Sequence, residues 1–168
     1  MRDREGTPRS ITFPSVLLGI GLGGFLDGIV LHQILQWHHV LTSTGDHPAT
    51  TVRGLEVNTL WDGLFHAATY VFVTVGLFQV WSRARDGGVA WSWRSLLGWS
   101  LVGWGLFNLV EGIVDHHILR IHHVRSGPNE LSYDLAFLAL GAILVLVGWA
   151  LSRTDGPAHR GSVQGRHE

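Results

Sequence analysis

Seven of the eleven histidines in this 168-residue chain fall in two short stretches, LHQILQWHHV at residues 31–40 and DHHILRIHHV at residues 115–124. The first holds His32, His38 and His39; the second holds His116, His117, His122 and His123. His66 stands in a further apolar stretch, and Asp27, Asp62, Glu111 and Asp134 are carboxylates set close to these histidines or at matching places. Imidazole with carboxylate is a donor set for Fe, Zn, Mn and oxidised Cu. There is no Cys and the only Met is Met1, which argues against a dedicated soft Cu(I) site. Ionisable groups inside apolar segments are costly and usually face a protein interior, where they pair or line a pathway.

The two histidine stretches belong to a longer match. Residues 27–40 laid over 111–124 without a gap share nine of fourteen positions, and Asp27 becomes Glu111, which keeps the carboxylate. Further on, Asp62 corresponds to Asp134. The halves differ where His66 is matched by Leu138, Gln33 by His117 and Gln36 by Arg120, so they are not functionally equivalent. This predicts two duplicated two-helix halves of the same orientation, related by an axis along the membrane normal.

The elements that must position these residues are four long apolar segments, Phe13 to Leu35, Leu60 to Trp81, Leu96 to Leu119 and Leu135 to Leu151. Each approaches the roughly 20 apolar residues that a helix needs to cross a bilayer. The first runs straight into the histidine motif and lacks a small-residue cleavage site, so it reads as a span and not as a cleaved signal peptide. Apolar residues make up 46% of the chain and the net charge is -1, which gives no reason to expect nucleic acid. The fold class expected is all-α, an integral membrane four-helix bundle. Residues 1–12 form an N-terminal tail, 13–152 the transmembrane domain with halves at about 13–82 and 96–152, and 153–168 a polar, disordered tail carrying His159 and His167. Arginines decide the orientation. Arg2, Arg4, Arg9, Arg83, Arg85, Arg94, Arg153, Arg160 and Arg166 fall on one side and Arg53 and Arg125 on the other, so both termini are expected in the cytoplasm. Trp81, Trp91, Trp93 and Trp149 mark that interface and Trp37 and Trp61 the outer one.

On straight helices ending near Leu41, Val57, Arg125 and Leu131, a rise of about 1.5 Å per residue puts His32, His66 and His116 roughly 13 Å below the outer surface. His117 lies one residue from that layer. His38, His39, His122 and His123 form an upper layer about 3 to 5 Å deep, with Asp62 and Asp134 slightly deeper and Asp27 and Glu111 near mid-bilayer. Three helices then deliver a histidine to one level, as a metal site in a bundle requires. The expected metal residues are His32, His66 and His116 at the core, with His117, His39, His123, His38, His122 and Asp62 completing or extending the site. Asp27, Glu111 and Asp134 are assigned to orienting ligands or relaying protons. The outer loop Thr42 to Val57 is expected to be irregular. Arg120, between two histidines, fits several roles: repelling a cation, snorkelling outward or binding an anion.

GGFLDGIVLHQILQWHH, DGLFHA and LVEGIVDHHILRIHHVR together resemble a bacterial membrane-protein family, domain of unknown function 2243, over Pro14 to Leu151. The resemblance implies a four-span protein of the bacterial inner membrane with these histidines and acids as its signature. It also implies, through the genes found near its members, a metal or respiratory role. It supplies no activity.

The leading reading is a membrane metalloprotein holding Fe, Cu or Zn in the outer half of the bilayer. It is either a redox enzyme with a non-haem Fe or Cu centre or a carrier that delivers metal to a respiratory complex. Haem b bound by histidines of two spans, a conduction path enlarged in a homodimer, and a structural subunit are the competing readings.

Overall fold

A computed structural model describes residues 10–85 and 92–153. The expected tails, with Arg2, Arg4, Arg9, His159, Arg160, Arg166 and His167, and also Trp91 lie outside the described residues. Helix α1, Thr12–Asp27, continues into a π-helical segment, Gly28–Ile34. Helix α2 spans Val52–Arg85, α3 spans Trp93–Glu111 and continues into a second π-helical segment, Gly112–Ile118, and α4 spans Glu130–Ser152. No strand occurs among the described residues. Counted with their π segments, the four helices have 23, 34, 26 and 23 residues. At about 1.5 Å per residue each exceeds the roughly 30 Å of bilayer hydrocarbon. The chain is thus an all-helical protein with four helices long and apolar enough to span a membrane.

Within the bundle α1 and α3 form the central pair, with α2 packed on α1 and α4 on α3. Half of the apolar window of α1 is buried against 11% of that of α2 and of α4, so the flanking helices offer most of their apolar surface to lipid. Among the described residues few large apolar side chains are buried: Ile11, Val102 and Val124 are, whereas twelve polar or charged residues are. Lipid tails are as apolar as leucine, so helices in a bilayer associate through close backbone packing and hydrogen bonds instead. A Cβ on Gly19 would collide with the carbonyl oxygen of Ser100, and one on Gly103 with that of Val16. The central helices therefore meet backbone to backbone, which brings their histidine ends together.

Two expectations about boundaries are corrected. The irregular outer loop ends at Thr51, not Val57, because the Thr51 hydroxyl caps the next helix by accepting the Gly54 N–H at 3.1 Å. More consequentially, the first and third helical spans stop at Ile34 and Ile118, well short of Leu41 and Arg125. Gln36 and Arg120 take left-handed backbone, with φ of 50° and 52°. The N–H groups of Trp37 and Ile121 reach back six residues to the carbonyls of Leu31 and Asp115, both at 3.0 Å. This is a left-handed helix stop like the Schellman motif, usually built on glycine, but one residue wider because it follows a π turn. Beyond it the chain reverses, so His38, His39, His122 and His123 lie on non-helical backbone and the layered depths calculated for straight helices do not hold.

Candidate metal centre

The site is built at the two π segments and the folded-back chain that follows each. A π turn carries i→i+5 bonds, and here Leu35 N–H donates to Val30 and Leu119 N–H to Val114, at 2.8 and 2.7 Å. Such insertions re-aim side chains and occur frequently at functional sites. They bring His32 and His116 inward, 1% and 2% exposed. Each chain reversal then buries one further histidine, His38 or His122, beside them.

The buried imidazoles form one cluster. Ring centroids are 4.5 Å apart for His32 and His38, 4.6 Å for His38 and His122, and 4.8 Å for His116 and His122. The His38 and His122 rings stack within 6° of parallel. Asp27 and Glu111 close the cluster from the ends of α1 and α3: Asp27 Oδ2 lies 3.2 Å from His32 Nε2, and Glu111 Oε1 lies 3.5 Å from His122 Nε2. One donor atom each from Asp27, His32, His38 and Glu111 lies within 4.8 Å of every other, and the same is true of Glu111, His116 and His122. Glu111 belongs to both groups. These buried groups could hold metal ions.

Around the cluster His32, His38 and His122 are each fixed by a hydrogen bond from the other side of the ring, whereas His116 Nδ1 has none among the described residues. His32 Nδ1 donates to Asp62 Oδ1 at 3.0 Å and His39 Nδ1 to Asp62 Oδ2 at 2.6 Å, while Val40 N–H donates to Asp62 Oδ1 at 3.1 Å. The other half repeats this. His123 Nδ1 donates to Asp134 Oδ2 at 2.7 Å, Val124 N–H to Asp134 Oδ1 at 2.9 Å, and His116 Nδ1 lies 3.4 Å from Asp134 Oδ1. His38 and His122 cross between halves: His38 Nδ1 donates to the Val124 carbonyl at 2.8 Å, and His122 Nδ1 to the Val40 carbonyl at 3.1 Å. Both histidines lie beyond the helical spans. Burial first, then the neighbouring imidazoles of His122 and His32, push His38 well below the ordinary histidine range. Burial also lowers His122, against the opposing effect of its bond to Val40. Each is therefore neutral near pH 7 with its proton on Nδ1, which leaves an Nε2 lone pair facing the cluster. The Nε2 atoms of His32, His38, His116 and His122 and both oxygens of Asp27 have no hydrogen-bond partner among the described residues. Unsatisfied buried polar atoms are uncommon, and several converging on one point mark a place for an ion or other ligand.

A family model described as a predicted membrane protein matches residues 14–155, most of the chain. The chain belongs to this family, domain of unknown function 2243. No curated protein and no solved structure matches it. The match covers all four spans and every residue of the cluster in this member of the family.

The expected ligand residues divide into two sets. His32, His38, His116 and His122 converge, and with them Asp27 and Glu111, which are expected to orient ligands or relay protons. His39 and His123 are half-buried and spend Nδ1 on Asp62 and Asp134. Asp62 has both oxygens occupied by three donors, so it orients imidazoles. His66 does not join the expected layer with His32 and His116. Its Nδ1 donates to the Asp62 carbonyl at 2.7 Å, and its ring lies against Phe65 and Phe25. A Cβ on Gly28 would meet the His66 ring at 2.6 Å, just as one on Gly112 would meet Leu138 at 2.7 Å, so the two residues fill equivalent packing positions. His117 Nδ1 donates to the Gly112 carbonyl. Arg120 is exposed, with Nε 3.4 Å from the His117 carbonyl, and it occupies the left-handed position of the helix stop. Asn108, 2% exposed, was missed; a lone amide three residues before Glu111 in an apolar span was its signal.

Proposed function

We propose that this chain is a membrane metalloprotein with a resident dinuclear centre, held by His32 and His38 with Asp27 in one half and by His116 and His122 in the other, Glu111 serving both ions. The observation that carries this reading is the pair of buried donor groups sharing Glu111. Two carboxylates and four imidazoles suit Fe, Mn, Zn or oxidised Cu. Asp62, Asp134 and the Val40 and Val124 carbonyls are the outer partners that fix ring orientation in metal sites. We read the matched hydrogen bonds and π segments as the mark of one two-helix unit used twice, and each unit contributes half of the centre.

A redox enzyme with a non-haem Fe or Cu centre fits better than a carrier. The four imidazoles are 1–2% exposed, so an ion could not be handed on without opening the fold. Haem b fits less well, because rings packed 4.5 to 4.8 Å apart leave no slot for a macrocycle. Among the described arginines, Arg83, Arg85, Arg94 and Arg153 lie at the end away from the centre, which supports cytoplasmic termini in a bacterial inner membrane. The test is elemental analysis and an optical spectrum of protein purified in mild detergent. Stoichiometric Fe or Cu that is lost in a His32→Ala, His116→Ala double variant is expected; a Soret band would replace this reading with haem.

A further inference from the structure

Between α1, α3 and α4 lies a cleft of about 310 Å³ that ends at the centre. Its wall carries Trp37, Trp104, Tyr133 and Phe137, and its polar residues include Asp27 and Asn108. Leu26 and Leu140, also lining it, are 45% and 46% exposed on the span surface, and Ala136 is exposed beside them, so the cleft opens toward lipid and not toward water. Asp27 and Asn108 are 7% and 2% exposed, yet both Asp27 oxygens and Asn108 Oδ1 lack a hydrogen-bond partner among the described residues. Asp27 Oδ2 lies 3.2 Å from His32 Nε2, which leaves Asp27 Oδ1 and Asn108 Oδ1, both acceptors, so an occupant that satisfies them must donate. The four aromatic walls select a flat ring, through offset or edge-on contact. The volume is at the lower end of the range for small-molecule pockets, about 300 to 1,000 Å³, enough for one ring.

We propose that this cleft binds a lipid-soluble phenol of the hydroquinone class, which enters from the bilayer with its ring among Trp37, Trp104, Tyr133 and Phe137 and its hydroxyl proton shared between Asp27 and Asn108 in a three-centre hydrogen bond. The proposal rests on the dinuclear reading, since one Asp27 oxygen serves the ion and the other accepts from the ring. A second cleft, of about 240 Å³ between α1, α2 and α3, ends at Glu111 on the other side. It contains no Trp, and Asp115 adds a further carboxylate to its wall, so the first cleft is the better receptor for an apolar ring.

The experiment titrates the full chain, in detergent and with metal content measured on each sample, with a short-tailed alkyl hydroquinone while following tryptophan fluorescence. Saturable quenching is expected from Trp37 and Trp104. Asn108→Leu weakens it about tenfold, the loss of one hydrogen bond, and Ala136→Phe, which blocks the lipid side, abolishes it; both retain their metal. The dimethyl ether of the same hydroquinone, which cannot donate, binds at least about tenfold more weakly to the unaltered chain. Equal binding of ether and hydroquinone would overturn the assignment in favour of an acyl-chain groove, whether or not a variant folds. Metal-loaded chain without saturable quenching would overturn it and leave the dinuclear reading standing. Quenching with the expected pattern in chain that takes up no metal would support the cleft and overturn the centre.

Discussion

At the scale of single residues, what separates the proposed ligands from their supports is where each imidazole turns its Nε2. His32 and His38 give Nδ1 to Asp62 and to the Val124 carbonyl and turn Nε2 inward; His39, on the same folded-back strand of chain, gives Nδ1 to Asp62 from outside. Removing a support should loosen the ion without deleting its ligands. Asp62→Asn and Asp134→Asn are expected to weaken metal affinity about 10- to 100-fold, as loss of an orienting carboxylate does elsewhere, while saturating metal still fills the site; chelator competition measures this. His66→Leu and His117→Gln install the residues that the other half has at those places, and both should leave affinity unchanged. A lost ion in either would return these histidines to the ligand set.

At the scale of elements, the π segments and the helix stops are what turn two ordinary spans into a site. A left-handed residue other than glycine costs about 1–2 kcal/mol, and both stops use one, Gln36 and Arg120. Gln36→Gly and Arg120→Gly should each raise stability by about 1 kcal/mol, seen as a higher midpoint of thermal unfolding in detergent. A lower midpoint would mean that these side chains do more than tolerate the turn. Close helix contact predicts a contrast between glycines: Gly63, with nothing within 4 Å of an added Cβ, accepts Ala, whereas Gly19→Leu forces α1 from α3 and should cost about 1–3 kcal/mol or more. These elements also mark what could be read in the chain. The spans and their number follow from the apolar runs. The helix stops do not, because Gln and Arg carry none of the signal that Gly gives at such a turn. Straight helices then put His38 and His122 near the surface and His66 in the central layer, whereas in the folded chain the His38 and His122 rings come against those of His32 and His116. Asp27 and Glu111 were recognised as the deepest acids, but their approach to the cluster depends on the π turns, which no residue pattern announces.

At the scale of the whole molecule, two halves are cross-linked by the His38–Val124 and His122–Val40 hydrogen bonds, and the donor group of the first half is completed by Glu111 of the second, whereas Glu111, His116 and His122 all come from the second half. The flanking helices α2 and α4 supply Asp62 and Asp134 and otherwise face lipid. Loss of one half's imidazoles should therefore loosen the ion of the other, through the shared Glu111 and the crossed bonds. Counting metal ions per chain in purified protein, beside a Glu111→Ala variant, tests this most directly. The dinuclear account predicts about two ions per chain, at most one of which survives without Glu111. A chain that binds one ion or none, or two that remain undiminished in Glu111→Ala, would contradict it.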